Sequence, residues 1–104
     1  MKVYIYECLF DNGIKIFTRD LQEIVDYYNK NYDKHISVDY IYIMTSKNND
    51  IPHIQLIKND FYDFLKDRVV NEYGEDKINN KTKRSINRYY NNVYKRFKIT
   101  NNTN

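Results

Sequence analysis

Residues 36–45, ISVDYIYIMT, decide the fold. The stretch is β-branched and aromatic, so intrinsic propensity favours a strand. Residues 51–57, IPHIQLI, would then be its hairpin partner across the polar loop SKNND, with Pro52 tolerated at a strand start or on an edge strand. A helical reading competes. Ser37 can stand at an N-cap, with Val38, Ile41, Tyr42 and Thr45 on one helical face. A strand at 36–45 places Tyr40 and Tyr42 on the same side, whereas a helix turns them opposite ways. If the segment is helical, residues 19–46 form a helix-turn-helix.

The flanks are less ambiguous. Residues 2–17 read as a β-hairpin, with Asn12-Gly13 as a two-residue turn in which both positions take positive φ. Residues 19–32, RDLQEIVDYYNKNY, read as an amphipathic helix: Leu21, Ile24, Val25, Tyr28 and Tyr32 share a face, and Thr18 or Asp20 can cap it. Residues 60–73, DFYDFLKDRVVNEY, read as a helix with Asn59 as cap, an apolar face of Phe61, Phe64, Leu65 and Val69, and Gly74 as its stop. A last helix starts between residues 77 and 82 and runs to about Lys98, leaving ITNNTN frayed. The expected class is α+β. It comprises an N-terminal hairpin, an amphipathic helix, the strand-or-helix segment at 36–57 and two C-terminal helices, in one domain over residues 1–104.

With 104 residues, 41% hydrophobic and 30% charged, the composition is that of a globular domain. Twelve tyrosines and fifteen asparagines, with no alanine, point to AT-rich codons and a low-GC genome or one of its viruses. The single cysteine, Cys8, excludes an intramolecular disulfide. No apolar run is long enough to span a membrane and no signal peptide is visible, so a cytoplasmic location is expected, the host cell interior if the protein is viral. The charge is unevenly placed. Residues 1–76 hold nine Lys/Arg and fourteen Asp/Glu, net −5; residues 77–104 hold eight Lys/Arg and no acid, net +8. Such asymmetry implies an anionic partner for the tail, or docking of the tail on the acidic part.

Residues 79–98, NNKTKRSINRYYNNVYKRFK, carry most of that charge. At 100° per residue Ile86, Tyr90, Val93 and Phe97 fall in one arc, flanked by Thr82 and Tyr89, and form a core-facing stripe. Arg84, Arg88, Asn91 and Lys95 lie opposite, with Lys77 and Lys81 continuing the row if the helix starts early; Lys83, Asn87, Tyr94 and Lys98 form the adjacent strip. A solvated polar face is the plain alternative. Against it, no acid is interleaved to make i,i+4 ion pairs, and Arg, Lys, Asn and Tyr together are the types that contact phosphate, sugar and base. The candidate site for nucleic acid or an acidic partner is therefore Lys81, Arg84, Asn87, Arg88, Asn91, Tyr94, Lys95 and Lys98. The partner is DNA, RNA or an acidic protein or ribonucleoprotein surface.

Little else carries chemistry. Cys8 reads as a small apolar filler of a strand. His35 and His53 lack zinc spacing, and no phosphate loop or hydrolase motif is present. A small metal-free RNase could use Tyr, Lys, Arg and His, but only the composition matches. The expectation is a non-catalytic protein without cofactor or metal.

The stretches FDNGIKIF, DLQEIVDYYNKNY and ISVDYIYIMTSKN resemble a family of small phage and low-GC bacterial DNA-binding proteins over residues 4–48. The resemblance implies a helix-turn-helix whose second helix, residues 38–46, enters the major groove, with Asp39, Tyr40 and Tyr42 to Lys47 on the DNA side. That segment departs from the pattern in having one acid and only one late lysine. The leading expectation is a phage-type nucleic-acid-binding protein using the basic C-terminal helix. The alternative is an anti-defence, anti-CRISPR-like inhibitor that binds a host nuclease complex by protein contact.

Overall fold

Strand β1 (Tyr4–Phe10) is the centre of the molecule, with β2 (Lys15–Thr18) on one side and β3 (Ile54–Asp60) on the other, both antiparallel, in a computed structural model that describes residues 2–102. Helices α1 (Leu21–Tyr32) and α2 (Val38–Ser46) lie between β2 and β3 in sequence; α3 (Phe61–Tyr73), α4 (Glu75–Asn79) and α5 (Lys83–Asn101) follow. The α+β class and the N-terminal hairpin are as expected.

The sheet separates two apolar clusters. Tyr6, Cys8 and Phe10 alternate onto one face, where they meet Leu21, Ile24, Val25 and Tyr28 of α1 and Ile41 of α2. Burial there pushes the Cys8 thiol up to about 12, so the cysteine is the filler the sequence suggests. Ile5, on the opposite face, enters a second cluster with Phe61, Leu65 and Val69 of α3, Ile78 of α4, and Tyr90 and Val93 of α5. Phe17, also on this second face, stacks edge-on against Phe97 of α5 at 5.0 Å.

Several expectations need correction. Residues 38–46 are helical, although propensity favours a strand. Both edges of β1 are taken, by β2 and β3, and a helix satisfies its own backbone. Asp33 ends α1 in a left-handed conformation (φ 52°), and the Asn29 carboxamide then clamps Ile36 through its N–H and C=O, both at 3.0 Å. The chain so directed enters α2 at Ser37, whose backbone is extended but whose side chain makes no cap hydrogen bond. Of the face proposed for that helix, Ile41 is buried and Tyr42 and Thr45 are exposed. Residues 51–57 do not pair with 36–45; β3 pairs with β1 instead.

The hairpin turn also differs. Only Gly13 has positive φ (91°); Gly13 N–H donates to Phe10 C=O and Phe10 N–H to Ile14 C=O, so the loop has three residues with the glycine at the bulge. Asp60, not Asn59, caps α3, accepting from Tyr62 and Asp63 N–H. The last helix is broken: Thr82 caps α5 through Ser85 N–H, so Lys77 and Lys81 precede its first turn. Residues 99–101 are helical rather than frayed, while Thr103 and Asn104 lie outside the described residues. No described helix is long and apolar enough to cross a membrane.

Candidate nucleic-acid interface

Helix α5 is held down by one face and one flank. Tyr90 and Val93 are buried and Ile86 and Phe97 half-buried, which confirms the apolar stripe. Beside the stripe runs a polar seam. Asn87 accepts from the Tyr62 hydroxyl of α3. Asn91 accepts from the Arg19 guanidinium, and the Tyr94 hydroxyl accepts from Arg19 N–H at 2.8 Å. Lys98 pairs with Glu23 of α1. Finally the Asn102 carboxamide, just beyond the helix, accepts from Phe17 N–H (2.6 Å) and donates to Phe17 C=O (3.2 Å).

Four of the eight predicted site residues, Asn87, Asn91, Tyr94 and Lys98, thus fasten the helix to the rest of the fold. The other four, Lys81, Arg84, Arg88 and Lys95, are exposed and, among the described residues, make no ion pair. Arg84, Arg88 and Lys95 sit within a narrow arc of α5 and span about 16 Å along its axis. Exposed Asn92 flanks them. Arg96, which the sequence reading left out, lies further round and pairs with Glu72 of α3; that carboxylate raises the guanidinium's pKa. So the basic segment docks partly on the acidic part of the chain, through Arg96 and Lys98, and leaves its remaining cations to solvent. Its face offers charge without stacking surface: Tyr94 is taken by Arg19, and Tyr89 packs on Tyr73 with ring centres 4.4 Å apart.

The resemblance places Asp39, Tyr40 and Tyr42 to Lys47 against DNA. In α2, Tyr40 is half-buried, and Tyr42 and Ile43 are about half exposed, facing a groove beside β3. That face mixes exposed Tyr42 and Ile43 with Thr45 and Ser46 and carries one acid and one late lysine, which suits protein contact better than phosphate.

Sequence reasoning missed one cluster. The Tyr32 hydroxyl donates to Asp11 (2.6 Å), His53 Nδ1 lies 2.6 Å from the other carboxylate oxygen, and the Tyr32 and His53 rings stack at 4.7 Å. Asp11 N–H also donates to His53 C=O, and His53 has φ 72°. Tyr32 first, then His53, hold the Asp11 carboxyl below its ordinary range. The cluster joins the β1–β2 turn to the entry of β3. Among the described residues no three His, Cys, Asp or Glu side chains converge as a metal site. No protein-family model, no curated protein and no solved structure matches this chain.

Proposed function

We propose that the protein binds the sugar–phosphate backbone of nucleic acid, with no catalytic step, through the exposed row Lys81, Arg84, Arg88 and Lys95. The observation that carries this reading is that Arg84, Arg88 and Lys95 face solvent without an ion pair on a helix anchored by its opposite side, with Lys81 exposed just before its first turn. Cations without local counter-charges displace counterions from a polyanion, which drives binding independently of sequence. The basic face has no exposed aromatic ring among the described residues, so single strands gain no stacking energy there and duplex is the favoured ligand. The outer face of α2 carries Asp39 and no cation before Lys47 at its end, which argues against major-groove reading by that helix.

The test is fluorescence anisotropy with labelled duplex DNA, single-stranded DNA and RNA at two or more salt concentrations. With four phosphates neutralised, log K against log salt should have a slope near about −3.6 on duplex DNA. Arg84→Glu with Arg88→Glu should abolish binding at unchanged melting temperature. Absence of binding to all three ligands at low salt would overturn the proposal. A second reading, a protein-binding inhibitor of anti-defence type, is favoured by one observation. A groove between α2 and β3, with an apolar floor and a polar rim, opens at the sheet edge opposite the one that α5 covers.

A further inference from the structure

The exposed large apolar side chains are not scattered. Of the five among the described residues, Tyr42 and Ile43 stand on α2 over β3, Ile57 and Leu9 stand on the other face of the sheet at β3 and its neighbour β1, and Ile99 lies elsewhere. Between α2 and β3 runs a groove of about 850 Å³, floored by Ile51, Ile54 and Leu56. β3 has a strand partner on one side only. The opposite edge of the sheet is closed at Phe17 by Asn102, so β3 is the edge left open. A seven-residue edge with apolar surface on both faces is a template for another strand. The chain's radius of gyration, 15.5 Å, exceeds the about 13 Å of a compact domain this size, in keeping with surface left uncovered.

Charge identifies the strand that fits. Asp50 lines the groove at the end where β3 begins, and Lys58 lines it four residues past Ile54. An antiparallel neighbour with a cation over the Asp50 end and an anion over the Lys58 end would match both. β3 and its preceding turn, reversed, are that neighbour. We propose that two copies of this chain pair through β3 about a two-fold axis at Leu56, continuing the sheet from three strands to six. Ile54 then opposes Lys58 of the second copy, whose ammonium reaches Asp50, and the same contact repeats across the axis. Because the two-fold stands perpendicular to the sheet, both α2 helices come to one face. There Tyr42 and Ile43 of each copy cover the groove of the other. Ile57 and Leu9 of both copies merge into one apolar strip on the reverse face. This pairing takes the groove on which the inhibitor reading stands, and it is independent of the basic row on α5.

The test uses charge exchange. Asp50→Lys leaves two cations at each contact, and Lys58→Asp leaves two anions. Both positions are exposed, and circular dichroism melts check that each variant folds. Sedimentation velocity from about 1 µM to about 1 mM, the range in which modest interfaces assemble, should find wild type dimerising. Each single variant should dimerise at least tenfold more weakly. An equimolar mixture of the two variants should recover dimers, since every contact across the mixed interface is again between opposite charges. A wild type that stays monomeric throughout overturns the proposal and leaves the groove to a foreign segment. Single variants as dimeric as wild type, or a mixture that does not recover, overturn it as well.

Discussion

Asp11 accepts from Tyr32 and pairs with His53 on two turns that are far apart in sequence. Its carboxyl is held below the ordinary carboxylate range, so the folded state prefers the ionised form more than the unfolded chain does. That contribution is complete above the ordinary value near 3.8 and is lost as pH falls through the depressed folded value. Asp11→Asn should therefore narrow the stability gap between pH 7 and the acid limb of a thermal-melt series, and the residual acid loss should come from other carboxylates. Nothing local marks this cluster, because neither the ring stack nor the positive φ of His53 has a signature in the chain. The polar seam of α5 is hidden for another reason: in sequence its residues belong to the candidate binding face. Asn87, Asn91, Tyr94 and Lys98 recur at spacings of four, three and four residues and border the apolar arc. Polar residues in that place can face a neighbouring element as well as solvent, and here they meet Tyr62, Arg19 and Glu23.

At the scale of elements, the segment with the strongest strand composition is a helix, and tertiary context decided it. β1 has two edges, and β2 and β3 occupy both, so residues 36–45 have no place beside it. The phase of α2 can be checked. Ile41→Ala should cost about 2–4 kcal/mol of folding stability, as core truncations do. Ile43→Ser should stay within about 0.5 kcal/mol, as exposed substitutions do, when measured by denaturant melts at low protein concentration. A strand would have turned Ile41 and Ile43 to the same side and made the two costs alike. The hairpin, α1, α3 and the stripe of α5 were readable because each repeats its own period, and the hairpin and α3 carry a glycine where they turn or stop. The pairing of β3 with β1 was not, because strand partnership depends on which edges are open and not on composition.

At the scale of the whole molecule, the charge asymmetry resolves into two uses. Part of the basic tail closes the fold through Lys98 and Arg96, and part faces solvent. The same helix ends on Asn102, whose carboxamide occupies the N–H and C=O of Phe17. On the proposed pairing, that side chain and the helix behind it set the valence of the sheet. With one edge open, association stops at a closed pair; with two, each copy could accept a neighbour on either side, and growth would have no natural end. Asn102→Ala should accordingly shift sedimentation profiles at high concentration from a pair towards larger, polydisperse species. Asn102 would then be the terminator of polymerisation as well as the cap of the last helix.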